Sequence, residues 1–239
     1  MSRNVLVLAL DTTTRAGSVA VVRGEVVLAE IIGDASLTHG ERLPRDLERA
    51  LASAAVTMAD VELLAVMAGP GSFTGLRIGI AAMQGLATAM GLRIVAASAL
   101  DALAIVAADG GAPVATWIDA QRGEVFAALY DPSGGHAVIA PTSASPARTL
   151  EVWGSAASSS ARFVGDGATR YREVIQQRLG PETAIIEPPP LAAVIGRVAS
   201  RSPELGVMPH AVVPIYIRKP DAELARDKGL AGQAARDRA

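Results

Sequence analysis

Gly69-Pro70-Gly71-Ser72-Phe73-Thr74-Gly75-Leu76-Arg77-Ile78-Gly79 is the stretch on which the reading of this chain turns. The run before it, Leu63-Leu64-Ala65-Val66-Met67-Ala68, is short and apolar throughout and reads as a buried strand closed by turn residues. Gly-Pro-Gly then forces a sharp turn, because proline fixes φ and either glycine can take a positive φ that other residues avoid. Ser72 or Thr74 caps the helix expected from about Gly75 to Met90, and Gly91 ends it. Strand, glycine turn and helix N-terminus together make a place where backbone N–H groups point at an anion. A plain tight connection in an α/β domain has the same outline.

Composition bounds the rest. The chain has 239 residues, 50% of them hydrophobic, enough for one large core or two modest ones. Net charge is −2, so no global basic field exists to hold a polyanion unaided, and 3% aromatics is too few for a base-stacking platform. With no cysteine there is no disulfide, thiolate nucleophile or thiolate zinc site. Only Val5–Leu10 is apolar before Asp11, too short a run for a signal peptide, and no later run spans a bilayer free of glycine and charge. A cytoplasmic protein without membrane attachment is expected.

In chain order, Val5–Leu10 reads as a strand with Ser18–Val22 and Glu25–Ile32 as antiparallel partners, turning at Arg23-Gly24. Asp11-Thr12-Thr13-Thr14 opens the turn after the first strand, where Asp and Thr either hold a metal-bound nucleotide or simply stabilise the turn; the structural role is preferred for Asp11. His39–Leu43 leads into a helix with Pro44 in its first turn, and His39 is read as a turn or surface residue. Leu43, Leu47, Ala50, Leu51 and Ala54 share one face of that helix, with Arg45, Asp46, Glu48 and Arg49 largely elsewhere.

The helix from Gly75 carries a bulky stripe (Leu76, Ile80, Met83, Ala87) and a strip of small residues (Gly75, Gly79, Ala82, Gly85, Ala89). Interior glycine costs about 0.8–1 kcal/mol against alanine, so close approach of a second helix is the natural return. That helix either packs within the fold or meets a partner. Beyond a strand at Gly91–Ala96 and a helix from Ser98, Asp109–Pro113 is the strongest boundary signal. Val114–Asp119 and Gly123–Tyr130 then repeat the opening strand, aspartate, glycine turn and strand, which suggests an internal duplication; a chance pair of hairpins is the other reading. Pro141–Ser145 reads as loop, Val212–Ile217 as a last extended segment, and the chain from Arg218 as a charged tail. The expected division is 1–108, 109–217 and a tail 218–239.

GPGSFTGLRIG closely resembles the signature of the bacterial TsaB (YeaZ) family. The resemblance continues in Leu8–Thr14, in Ile118–Val125 and in Pro214-Ile215-Tyr216-Ile217-Arg218, in family order. It implies an α/β fold of the actin, sugar-kinase and Hsp70 type, with two related subdomains. It also implies a part in making threonylcarbamoyladenosine in tRNA, beside a TsaD-type enzyme and a TsaE-type ATPase, with tRNA met only through the complex. Family members meet TsaD, or a second copy of themselves, through a bundle of helices. That points to Leu43, Leu47, Leu51, Gly75, Gly79, Ala82 and Gly85 as partner contacts. In the superfold, Asp11, Thr12, Thr13, Gly69 and Gly71 stand where phosphate is held, so they are the candidate, vestigial contacts for ATP or ADP in the complex.

No catalytic residue and no metal ligand is assigned. The sibling enzyme holds its metal with a histidine pair four residues apart, and here that place reads Ala96–Ala102 without histidine. The three histidines, His39, His136 and His210, lie far apart, and Arg15-Ala16 stand where the sibling's turn is acidic. An ATP-dependent phosphotransferase of the same superfold and a metallopeptidase are the alternative readings.

Overall fold

A computed structural model describes residues 4–218; the expected tail beyond Arg218 lies outside the described residues. β1 (Leu6–Asp11), β2 (Ser18–Arg23) and β3 (Val26–Ile32) form an antiparallel meander. α1 (His39–Ser53) leads to β4 (Leu63–Gly69), which pairs parallel to β1; α2 (Phe73–Met90) crosses to β5 (Ile94–Ser98), parallel to β4. After α3 (Ala99–Ala107) the plan repeats. β6 (Val114–Asp119), β7 (Val125–Tyr130) and β8 (Ala137–Ala144) form a second meander, then α4 (Pro146–Trp153) leads to β9 (Arg162–Val164), parallel to β6. α5 (Asp166–Arg170) and α6 (Arg172–Leu179) precede the short β10 (Ile185–Ile186), and α7 (Ala192–Arg201) follows. The sheet orders, β3-β2-β1-β4-β5 and β10-β9-β6-β7-β8, are one topology used twice. The recurrence in the sequence is therefore a duplication of architecture.

Strand periodicity sorts the apolar side chains into layers. Leu6, Leu8 and Leu10 of β1 join Val19 and Val21 under α1 and α2, while Val7 and Ala9 face the opposite way with Ala20 and Val22. That second face, the helices α3 and α7, and one face of the second sheet (Val114, Ile118, Phe126, Ala128) make a single continuous core. The outer face of the second sheet closes over Trp117, Phe163 and Trp153 with α4 and α6. Because both faces of β1 and β4 are covered, they read as unbroken apolar runs rather than alternating ones.

The boundary expected near 109 falls between the two sheets, yet α7 comes from beyond it and lies across β1, β2 and β4 of the first. Gly196 makes that approach close: a Cβ there would stand 2.6 Å from Val22 Cγ2.

Local expectations fail at two places. α1 starts at His39, five residues before Pro44, because Thr38 and Glu41 form a reciprocal capping box; Pro44 sits inside the helix, where the carbonyl it leaves unpaired belongs to exposed Gly40. Pro141–Ser145 is no loop for most of its length: β8 runs through Pro141 as the edge strand of its sheet, the one setting where a missing N–H is harmless. The last segment, residues 212–217, belongs to no helix or named strand, and its Ile215 N–H donates to Ala68 O of β4.

The Gly196 contact makes a direct prediction. Gly196→Leu forces the side chain into stiff, β-branched Val22 and lowers stability by about 1–3 kcal/mol despite the better helix propensity. Urea unfolding monitored by circular dichroism reads this, and an unchanged midpoint contradicts it.

Candidate functional site

Asp11 ends β1 as a buried carboxylate. Its Oδ1 accepts from the backbone N–H of Thr13 at 2.8 Å and from the Thr13 hydroxyl at 2.6 Å, the side-chain-to-backbone turn expected of Asp. Burial raises its pKa above the ordinary 3.8, against the opposing pull of those Thr13 bonds. With Thr13, Asp166 and Pro188–Leu191, it lines a cavity of about 260 Å³ between the lobes.

The turn that follows fills the anion cradle from within. Thr13 C=O accepts the Ser72 N–H at 2.8 Å, and a Cβ on Gly71 would lie 2.6 Å from Thr13 Cβ. Gly69, at φ 122°, is overlaid by residue Ile215, whose carbonyl oxygen would be 2.7 Å from an added Cβ. Ser72 Oγ accepts from Gly75 N–H at 3.2 Å and caps α2, as the sequence suggested. Of the five candidate phosphate contacts, Gly69 and Thr12 are committed to packing, Asp11 and Thr13 line this cavity, and Gly71, pressed against Thr13 on one side, lines a wider cavity beside the start of α2.

The small-residue strip on α2 divides along its length. A Cβ on Gly75 would stand 2.3 Å from Thr12 O, and one on Gly79 would stand 2.2 Å from Thr12 Oγ1. Both glycines are buried, so their expected role as partner contacts is corrected: they admit the turn after β1. Leu43 is likewise buried in the core beneath α1, while Leu47, Leu51 and Ala82 are half-buried against the same cluster. Gly85 has nothing within 4 Å of an added Cβ, and Ala81, Gly85 and Ala89 face solvent.

One group went unread. His39 is buried, not a surface residue. Its Nε2 lies 3.0 Å from Thr14 O, which only accepts, and its Nδ1 lies 2.8 Å from the Arg42 guanidinium, which only donates. The ring is therefore neutral, with its proton on Nε2. Arg42, also buried, bonds the carbonyls of Arg15 and Ala16 and pairs with Asp46 at 2.5 Å. This chain of charges ties the turn after β1 to α1. Burial, and then the neighbouring guanidinium, lower the His39 pKa below the ordinary 6.5. Arg and Asp four apart on a helix are visible in sequence, but nothing there shows that the pair is inside.

A second cavity, of about 730 Å³, opens between the lobes beside the start of α2. Thr13 and Thr14, Pro70–Leu76, Asp119–Arg122 and Ile215–Arg218 all line it. The four stretches singled out in the sequence, far apart along the chain, meet here. No group of three His, Cys, Asp or Glu suited to a metal ion is found among the described residues.

Two lobes of the same topology around a cleft, with the Asp11 turn and the β6–β7 turn facing across it, define the fold of the actin, sugar-kinase and Hsp70-type proteins. A family model described as "TsaD: tRNA N6-adenosine threonylcarbamoyltransferase" matches residues 33–226. YeaZ from Pseudomonas aeruginosa is similar with a TM-score of 0.71 at 31% identity, over 89% of this chain and 99% of that one. The tRNA threonylcarbamoyladenosine biosynthesis protein TsaB of Bacillus subtilis is 27% identical, over 91% of this chain and 96% of its own. An uncharacterized protein of Mycobacterium tuberculosis is 33% identical, over 91% and 93%. The chain belongs to this family, on its TsaB (YeaZ) branch.

The neutral, buried His39 makes stability depend on pH. Below 6.5 the unfolded chain takes up a proton that the native ring refuses, so stability falls as pH drops from 6.5 toward the depressed native value. Gln in its place can still donate to Thr14 O and accept from Arg42. We expect His39→Gln to lose less stability than the parent between pH 7.5 and pH 5.5 in urea titrations. Equal losses would remove His39 from the account.

Proposed function

We propose that this chain is a non-catalytic subunit required for threonylcarbamoyladenosine modification of tRNA next to the anticodon. It acts by pairing with the TsaD-type enzyme, alongside a TsaE-type ATPase, and meets tRNA only through that complex. In the absence of the enzyme, the same face pairs two copies of the chain. The setting is cytoplasmic, and no helix among the described residues is long and apolar enough to cross a membrane.

The observation that carries this reading is the fate of the glycine turn. The Ser72 amide is taken by Thr13 O, and Gly71 and Gly69 pack against Thr13 and Ile215, so part of the place where a kinase of this fold would cradle phosphate is occupied by the chain itself. The helix launched from that turn instead offers solvent an uncharged strip, Ala81, Gly85 and Ala89, and the leucines Leu47 and Leu51 of α1 are only half-buried. Small residues let a second helix come close, and interface centres are poor in charge.

Two substitutions separate the fold from the interface. Gly79→Leu collides with Thr12 and unfolds the chain, whereas Gly85→Leu enters open space and leaves melting unchanged or slightly raised. Gly85→Leu nevertheless weakens the complex with the TsaD-type enzyme. Overpacking of about 1–3 kcal/mol corresponds to roughly tenfold or more in affinity. Size-exclusion mixing of the purified proteins measures it. Full co-elution of the folded Gly85→Leu protein would place the interface elsewhere. Multiple ATP turnovers by the isolated chain, lost in Asp11→Ala, would favour a phosphotransferase.

A further inference from the structure

Residues 209–218 run from the flank of α2 to the β6–β7 turn, and they hold both lobes. On the first lobe, the Gln84 side-chain amide donates to Pro209 O at 2.8 Å and to Val212 O at 3.0 Å. The Ile215 N–H donates to Ala68 O at 2.7 Å, at the end of β4. Arg77 Nε donates to the Tyr216 hydroxyl at 3.1 Å, and the Tyr216 ring lies 5.4 Å from that of Phe73, over which the Arg77 guanidinium stacks at 3.9 Å. On the second lobe, Arg218 donates to Glu124 Oε2 at 2.6 Å and to Ala120 O at 3.0 Å. The Ser143 hydroxyl donates to the same Glu124 oxygen at 3.0 Å, and the Arg218 guanidinium is 6.0 Å from the Phe126 ring.

The spacing makes this attachment consequential. Three residue steps link Ile215 to Arg218, and fully extended they span only about 10–11 Å, to which the arginine side chain adds its own length. The lobes cannot part further at this point unless one end lets go. Farther in, the layer of α3 and α7 joins the two sheets in one core. The lobes are thus held at two separate places, the shared core and the cleft mouth, and rotation about either one strains the other.

We infer that residues 209–218 are an interlobe clamp. They hold the cleft at one width and make α2, the β6–β7 turn and the segment between them a single rigid body. The mouth of the cleft is tied by Ile215 on one lobe and Arg218 on the other. A half-exposed ion pair alone would be a weak latch, since solvent screens it. The second bond to a backbone carbonyl and the tether three residues upstream keep the guanidinium at high effective concentration beside Glu124. This also gives the Pro214–Arg218 stretch a purpose that a partner face on α2 does not require.

The absence of cysteine allows a direct measurement. Ser53→Cys on α1 and Val152→Cys on α4 are exposed, one on each lobe, and can carry spin labels. In the parent background, double electron–electron resonance should give one narrow distance distribution. Arg218→Ala should broaden it and add a longer component, and amide exchange should rise in residues 119–125 and 212–217. Glu124→Gln, which keeps size but removes the counter-charge, should do the same from the other side, while Arg218→Lys should fall between. If Arg218→Ala proves too unstable to measure, Glu124→Gln decides alone. Distributions in folded Arg218→Ala and Glu124→Gln as narrow as the parent's would overturn the clamp.

Discussion

The turn after β1 presses into the start of α2, and three missing side chains allow it. A Cβ on Gly71, Gly75 or Gly79 would stand between 2.2 and 2.6 Å from an atom of Thr12 or Thr13, closer than side chains approach one another. From that contact follow the N-terminal anchoring of α2, the burial of Asp11 beneath the turn, and the filling of the anion cradle. It also sets where α2 lies relative to α1, because His39, at the start of α1, stands 3.1 Å from the same absent Cβ of Gly75. The Arg42–Asp46 pair then holds the rest of the turn from the α1 side through the carbonyls of Arg15 and Ala16. A buried ion pair of this kind is a poor source of net stability but is costly to break. Its contribution is placement: it specifies one position for a turn that carries three consecutive threonines and no apolar anchor of its own.

The same contact explains what was legible in the sequence and what was not. The sheets could be read because their signal is local. Runs such as Leu6–Asp11 and Leu63–Gly69 are apolar throughout, and the glycine and aspartate turns between strands recur in both halves. Helix ends were readable where the cap is chemical: Ser72, Ser98 and Gly91 all cap as their types suggest. The start of α1 is less legible, because Pro44 suggests a first turn while the Thr38–Glu41 box starts the helix at His39, leaving the proline inside it. The small strip of α2 was legible as a place of close approach but not as two places. Helical spacing reports which residues share a face. It does not report that the turn at Thr12, distant along the chain, comes up to cover only the first half of that face.

Burial of charge was the other blind spot. Arg42 and Asp46 look like members of a solvated helix face, and their neighbours Arg45, Glu48 and Arg49 are just that. What distinguishes them is the set of carbonyls that the Arg15–Ala16 turn presents, and a turn's conformation is not encoded by periodicity. The cleft poses a similar problem. Each of its four lining stretches was singled out, but their meeting depends on the β1–β4 pairing, the repeat of that pairing in the second lobe, and the return of residues 209–218 to the first.

Duplication gave this chain two outer helical layers, and they have diverged in a way that physical chemistry can rank as binding surfaces. The outer layer of the second lobe is charged: Arg148 pairs with Glu151 in α4, and Arg172, Glu173 and Arg178 are exposed on α6. Covering that surface would strip water from several charged groups without offering them partners, which is costly. α2 of the first lobe exposes Ala81, Gly85, Thr88 and Ala89, which lose little hydration when covered and order few rotamers. On the neighbouring α1, Arg45, Glu48 and Arg49 are exposed and charged. Arg77, at the near end of the strip, is already engaged with Phe73 and Tyr216. Of two surfaces with one ancestry, the one free to be desolvated is the one that the glycine turn positions. The interior contact at Gly75 and Gly79 and the open face at Gly85 are therefore parts of a single helix in different surroundings: the first two glycines yield space to Thr12, and the third borders open space.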